Sequence, residues 1–369
     1  MSDIYSRYFA NARHDGWVNQ VVRSDGNIVW RRIITGDEKV SAESRLLLSS
    51  DKQIVVDGMK KIFAYSSDGA QLWDREKYYG CQVALQNDLV KYRAADEVNL
   101  IHAVSVVDGK KANDLYLSGI TKNCDLVFFE PLERGLIAQL QYISSHDKPS
   151  DEMLIYLLSG TVPGFDWSFL YNGSKGLLIP LVNIENRRYV TSIPGKVLVF
   201  DLDSRERTPE PLNRFSLPLG ENTAWMSCGR DGKLYFTGCG PERLEVAITE
   251  FNGEQTALLK NFDIPAEKPI APPIVSDEHI FILTASMLIA IRNGDIDWTF
   301  KPLRGRMKYV TALSDGTVLA AANDIVYHLN QAGEYFFETV IDEPIATPPV
   351  VDGNGRVYVA SRDTLYAIE

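Results

Sequence analysis

Histidines, cysteines and clustered charges are the residues through which this chain of 369 could do chemistry. The five histidines, His14, His102, His146, His279 and His328, stand far apart. None belongs to a His-Glu-x-x-His run or a Cys/His array, the spacings that bring several ligands to one metal ion, so no metal site is assigned. His102 and His279 fall in or beside apolar runs, where the ordinary role is a hydrogen-bonded core or channel histidine. The four cysteines, Cys81, Cys124, Cys228 and Cys239, form no Cys-x-x-Cys. Cys228 and Cys239 flank a turn near 230–232 at different heights of the expected hairpin, which does not suit disulfide geometry. Scattered thiols fit a reducing, cytoplasmic setting. There is no Gly-x-Ser-x-Gly elbow and no Gly-rich phosphate loop, so no catalytic residue and no cofactor is assigned.

Charge gives a sharper signal. The net charge is −11, which argues against nucleic acid or an anionic membrane surface as a general partner. Within this acidic chain Lys301-Pro-Leu-Arg-Gly-Arg-Met-Lys308 concentrates cations. Lys301, Arg304, Arg306 and Lys308 are therefore candidate contacts for a carboxylate, a phosphate or an acidic segment of a partner. A solvated surface loop is the plain alternative. In Asp74-Arg-Glu-Lys-Tyr-Tyr79 the pair Tyr78 and Tyr79 is a candidate protein contact, tyrosine being enriched at binding hot spots; hairpin packing is its alternative. The segments Ile341-Asp-Glu-Pro344 and Gly36-Asp-Glu-Lys39 read as ordinary loop polarity.

The elements that must position these residues are strands. Short apolar or alternating runs recur, such as Arg45-Leu-Leu-Leu-Ser49, Lys61-Ile-Phe-Ala-Tyr65 and Lys233-Leu-Tyr-Phe-Thr237. Between them lie Asp-Gly pairs at 25, 57, 68, 108, 231, 315 and 352, and Asn-Gly pairs at 172, 252, 293 and 354. Those dipeptides accept the positive φ that tight hairpins need. The stretch from Cys81 to Val107 alternates better than it follows a helical period, so it also reads as strands. No run reaches the ~18 apolar residues of a membrane-spanning helix. The first ten residues lack a basic-then-apolar leader pattern, which adds to the cytoplasmic expectation.

The strands repeat. Pro269-Ile-Ala-Pro-Pro-Ile-Val275 matches Pro344-Ile-Ala-Thr-Pro-Pro-Val-Val351 apart from one insertion, and each is followed by two similar strands. After the first copy comes Asn293-Gly-Asp-Ile-Asp-Trp298; after the second the chain stops at Glu369. A Gly-x-x-x-Trp element ends in Trp30, Trp73 and Trp298, and the first of these has no strands of its own before it. The strand near 25–33 is thus expected to complete the last repeat by pairing with the C-terminal strands. Outer strands placed near Trp30, Trp73, Leu115, Trp167, Phe215, Leu258, Trp298 and Phe337 recur every ~40–50 residues, the length of a four-stranded propeller blade. The expected fold is all-β: one eight-bladed β-propeller over 1–369, closed through its two ends. The degenerate repeat between Lys122 and Leu217 leaves seven blades as the other count.

The segments Ala64-Tyr-Ser-Ser-Asp-Gly-Ala-Gln-Leu-Trp73 and Ala290-Ile-Arg-Asn-Gly-Asp-Ile-Asp-Trp298 resemble the Ala-x-Asp-x-x-x-Gly-x-x-x-Trp motif of the quinoprotein-like (pyrroloquinoline-quinone-type) propeller family, slightly shortened. The run from Pro348 through Val357-Tyr-Val fits the same repeat. The resemblance implies that Trp30, Trp73 and Trp298 are structural, packing between neighbouring blades. It does not carry over the quinone and calcium of the family's dehydrogenases, because the adjacent cysteines and acidic calcium cluster have no counterpart. The length is nearer the non-enzymatic branch, whose typical member is exported and lipid-anchored and binds protein partners; no lipobox cysteine stands near this N-terminus. The expectation is a non-enzymatic scaffold with a protein partner. The alternative is a binder of a small anionic ligand, or an enzyme, with its site at the mouth of the central channel.

Overall fold

The fold comes from a computed structural model that describes residues 17–369 except 35–39, 41–44, 80–82, 96–99, 117–123, 133–134, 144–148, 160–164, 173–180, 183–187, 194–195, 202–212, 221–222, 230, 242, 250–255 and 266. Of the strands within 124–193 and 256–265, only the backbone is described. The chain is all-β. Among the described residues the strands form eight antiparallel four-stranded arrays, one of which carries an added fifth strand.

The first sheet contains Leu46–Leu48, Ile54–Asp57, Lys61–Tyr65 and Gln71–Glu76. The second contains Val83–Gln86, Leu89–Arg93, Leu100–Ser105 and Lys111–Tyr116. The third, fourth and fifth lie within 124–172, 181–216 and 223–265. The sixth is Ile274–Val275, Ile280–Leu283, Leu288–Arg292 and Asp295–Phe300; the seventh is Met307–Leu313, Val318–Ala322, Ile325–Leu329 and Tyr335–Val340. The eighth takes Val350–Val351, Val357–Ala360 and Thr364–Ile368 from the C-terminus and Ile28–Ile33 from the N-terminus. That last strand pairs antiparallel with Thr364–Ile368, Ile28 opposite Ile368 and Ile33 opposite Thr364. All eight positions expected as outer strands, from Trp30 to Phe337, fall in the fourth strand of a sheet.

The turn chemistry accounts for the short hairpins. Asn293 and Gly294 have φ of 51° and 81° and join Leu288–Arg292 to Asp295–Phe300 as a two-residue turn. Only such residues hold two consecutive positive φ values cheaply, and that geometry matches the natural strand twist. Several central strands are buried on both sides. Val318–Ala322 reads Val-Leu-Ala-Ala-Ala and is buried throughout, its small side chains letting neighbouring sheets approach.

First strands of successive sheets touch: the first with the second, the second with the third, the fifth with the sixth and the sixth with the seventh. The first strand of the first sheet also touches that of the eighth. Their outer ends are joined by aromatic docking. Trp73 Nε1 donates to Val106 O at 2.8 Å and its ring covers Gly109 of the next sheet. Trp298 Nε1 donates to Gln331 O at 2.7 Å over Gly333, and Trp30 Nε1 to Ser67 O at 3.2 Å over Gly69. Phe337 takes the same place against Gly26. A Cβ on Gly333, which has φ of +80°, would sit 2.6 Å from Trp298, so this contact needs glycine for space as well as for backbone.

The proline-rich repeat has a matching role near the first strands. Proline lacks an N–H, so these segments keep only single backbone bonds to their own sheets, Ile270 N to Leu283 O and Ala346 N to Ala360 O, and their carbonyls also accept from the preceding sheet. Trp225 Nε1 donates to Pro269 O at 2.9 Å, Tyr309 Oη to Ala346 O at 2.8 Å and Thr311 Oγ1 to Pro349 O at 2.9 Å.

One strand lies outside the repeat pattern read from sequence. Trp17–Val18 pairs in parallel with Ala312 and Leu313 at the end of the seventh sheet's first strand. From there the chain crosses to the eighth sheet, held by Ser314 N to Gln20 O at 3.0 Å and Arg23 N to Gly355 O at 3.0 Å. Val18 and Val22 are buried along this path. No helix among the described residues is long and apolar enough to cross a membrane.

Candidate functional site

The cationic loop runs from the end of Asp295–Phe300 to the start of Met307–Leu313, crossing one end of the sixth and seventh sheets. Its path is fixed by backbone bonds: Met307 N to Ala285 O at 2.9 Å and Asn323 N to Arg306 O at 3.1 Å. Gly305 has φ of +78° and lies so close to Asn323 that a Cβ there would fall 2.5 Å from the Asn323 Cβ. The loop is thus held against the turn Asn323-Asp324 between the seventh sheet's second and third strands.

The four cations divide into two kinds. Lys308 is half-buried and donates from Nζ to Ile345 O at 2.9 Å. Burial pulls its ammonium below the ordinary lysine value, opposed by the Asp324 carboxylate. Arg304 is exposed but pairs with Asp324 Oδ2 at 3.0 Å. Lys301 and Arg306 point outward, with no hydrogen-bonded partner for either side chain among the described residues. The charge on Arg306 reaches Glu267. Burial works to raise the Glu267 carboxyl, but hydrogen bonds from Ser286 Oγ and backbone N, helped by Arg306, hold it below its ordinary value. Between the cations Leu303 is 73% exposed.

The loop holding the tyrosine pair occupies the equivalent place after the first sheet's fourth strand, yet it points its residues the other way. Lys77 is buried against Asp57, Nζ to Oδ1 at 2.8 Å, with Arg45 adding its field. Burial nonetheless pushes the Asp57 carboxyl above its ordinary value, because desolvation outweighs the attraction of Lys77. Tyr78 is half-buried, with the buried Arg93 guanidinium 4.2 Å above its ring. Only Tyr79 projects outward, 59% exposed. The pair is thereby split into one packing residue and one free surface residue.

The described histidine side chains, His102, His279 and His328, bond within the sheets. His279 is buried, its Nε2 at 2.8 Å from Asp297 and its ring stacked on Phe281. His102 Nδ1 lies 2.8 Å from Asp114, directly across the ladder. His328 Nε2 lies 3.0 Å from Thr317 Oγ1. Cys228 and Cys239 are free thiols; His14, His146 and Cys81 lie outside the described residues, as does Gly36–Lys39. The segment 341–344 is less passive than its polarity implies: Asp342 pairs with Arg31 of the N-terminal strand, and Glu343 accepts from Ser361 at 2.7 Å. Leu303, Asp324 and Glu267 were not visible as site residues from sequence. Asn323-Asp324 between two apolar runs signals a turn, but nothing local says that its carboxylate meets an arginine twenty positions back.

No family model and no curated protein sequence matches the chain. Solved structures do. The chain is similar to BamB from Moraxella catarrhalis, with a TM-score of 0.59 and 12% identity over 92% of this chain and 96% of that one. It is also similar to the WD40 β-propeller domain of Doa1, with a TM-score of 0.51 and 10% identity over 94% of this chain and 97% of that one. At these identities the likeness establishes the β-propeller fold.

Proposed function

We propose that the chain is a single closed eight-bladed β-propeller, quinoprotein-like and non-enzymatic, that acts in the cytoplasm as a scaffold for a protein partner. Closure is supported by the antiparallel pairing of Ile28–Ile33 with Thr364–Ile368 and by contact between the first strands of the first and eighth sheets. The free Cys228 and Cys239 thiols agree with a reducing compartment.

The scaffold reading is carried by one observation. A backbone-pinned loop presents cationic and apolar side chains outward from one end of the sheets, and Tyr79 projects from the equivalent loop. Rigid, exposed aromatic and arginine side chains are what a protein contact uses. Site-specific photo-crosslinking in cells of the source organism tests it. Probes at Leu303 and Tyr79 should give discrete protein adducts, and a probe at Asn354, at the other end of the sheets, should not. Adducts at neither Leu303 nor Tyr79 would overturn the scaffold.

The second reading, a small anionic ligand or substrate at the channel mouth, is favoured by Lys301 and Arg306, which have no hydrogen-bonded partner among the described residues. It predicts that a metabolite anion, rather than a protein, raises the melting temperature, and that Arg304→Ala with Arg306→Ala removes the effect.

A further inference from the structure

We infer that the Lys301–Lys308 loop docks an acidic linear segment of a protein partner that carries an apolar side chain, with Leu303 as the apolar anchor and Lys301 and Arg306 as the charges that flank it. The inference rests on the scaffold reading and adds to it the chemistry of the partner.

Three observations converge on this occupant. Leu303 is 73% exposed, close to the exposure of Ile33 at 74% and above the other exposed large apolar residues, although its loop leaves a strand at Phe300 and is tied by backbone bonds at Arg306 and Met307. A leucine held in water by a rigid backbone keeps its apolar surface available at little ordering cost, which favours binding over collapse. Second, the charges around it differ in how far hydrogen bonds already occupy them, the field of Arg306 also reaching Glu267. Asp324 already satisfies Arg304, and the backbone carbonyl of Ile345 takes Lys308, whereas Lys301 and Arg306 have no hydrogen-bonded partner among the described residues. Third, the cations stand in a chain of net charge −11. An acidic partner is repelled by most of the molecule and attracted here, so the field selects the docking place as well as the ligand.

The apolar centre separates this site from a simple anion site. A free phosphate or carboxylate gains nothing from Leu303, while a peptide carrying a leucine, methionine or aromatic residue among its acids buries it. Arg304 then has a second function. Its pairing with Asp324 holds the loop, and Asp324 gives a partner carboxylate a reason to bind Arg306 or Lys301 rather than Arg304.

The test is selection from a phage-displayed library of short random peptides on the intact chain, followed by fluorescence anisotropy of the selected peptides. Peptides combining acidic residues with an apolar residue are expected. Arg306→Glu and Lys301→Glu should each weaken them by about tenfold, and Leu303→Ser should weaken them while leaving the melting temperature unchanged. Replacing the apolar residue of the peptide by serine should reproduce the Leu303→Ser loss and add nothing to it. Binding that Leu303→Ser leaves intact, selection of basic or purely apolar peptides, or full competition by inorganic phosphate would each overturn the assignment. If acidic peptides fail here but crosslinks from Tyr79 still capture a protein, this inference falls and the scaffold stands. Adducts at neither position remove both.

Discussion

Trp73 and Gly109 form one contact made from two chemically distant requirements. The indole needs a flat, side-chain-free surface and a carbonyl for its N–H; the turn needs a residue at φ of +66°. Trp73→Ala should cost about 3–5 kcal/mol by leaving a cavity between sheets. Gly109→Ala should cost about 1–3 kcal/mol, because the new methyl meets Trp73 and the backbone is strained. With both changes the clash disappears, so chemical denaturation of the double variant should show a loss smaller than the sum. Buried charge gives a second prediction. Lys77→Met leaves the Asp57 carboxylate desolvated without its hydrogen-bonding cation and should cost about 3–5 kcal/mol. Adding Asp57→Leu should recover part of that loss in the same assay. Residue types at this scale were legible in sequence for the tryptophans. They were not for Lys77, whose neighbours in sequence are polar and whose burial depends on Asp57 lying across another hairpin.

The strand Ile325–Leu329 shows how an element sets the chemistry of a residue. It runs through the buried middle of the seventh sheet, and His328 is carried there between Thr317 and the rings of Phe336 and Phe337. Burial lowers the imidazole below its ordinary value of 6.5, with Asp315 opposing. On acidification the unfolded chain therefore takes up a proton at this histidine before the folded one does. Its contribution to stability is level above about pH 6.5 and falls as pH drops from there to the folded value. His328→Gln should flatten that slope relative to the parent, read as the difference in melting temperature across the acid range. The loop between Asp295–Phe300 and Met307–Leu313 is the same argument reversed. The cations are evident from sequence, but only the packed turn at Asn323-Asp324 shows that Arg304 is paired there.

At the level of the whole molecule the two ends of the chain are joined twice. Ile28–Ile33 covers the edge of Thr364–Ile368, and Trp17–Val18 with the segment to Arg23 ties the seventh sheet to the eighth. Removing residues through Ile33 bares a strand edge with unpaired N–H and C=O groups, so concentration-dependent self-association by light scattering is expected. Removing residues through Ser24 keeps that edge covered and loses only the tie. It should lower the melting temperature without changing the particle size. An unchanged particle size in the longer truncation would count against closure through the ends.

What the sequence by itself determined was everything encoded within a repeat. Asp-Gly and Asn-Gly turns, alternating runs and Gly-x-x-x-Trp elements act over a handful of residues, and they located all eight fourth strands. The expected pairing of the strand near 25–33 with the C-terminal strands has its counterpart in the ladder between Ile28–Ile33 and Thr364–Ile368. Tertiary structure alone decided the parallel strand at Trp17–Val18, because two residues carry no periodicity and their partners lie almost three hundred positions away. It also decided the character of the candidate site. A cation's availability depends on whether a carboxylate or carbonyl from another strand reaches it, and a leucine's on whether a neighbouring sheet covers it. Those are distances between segments, and they exist only once the sheets have packed.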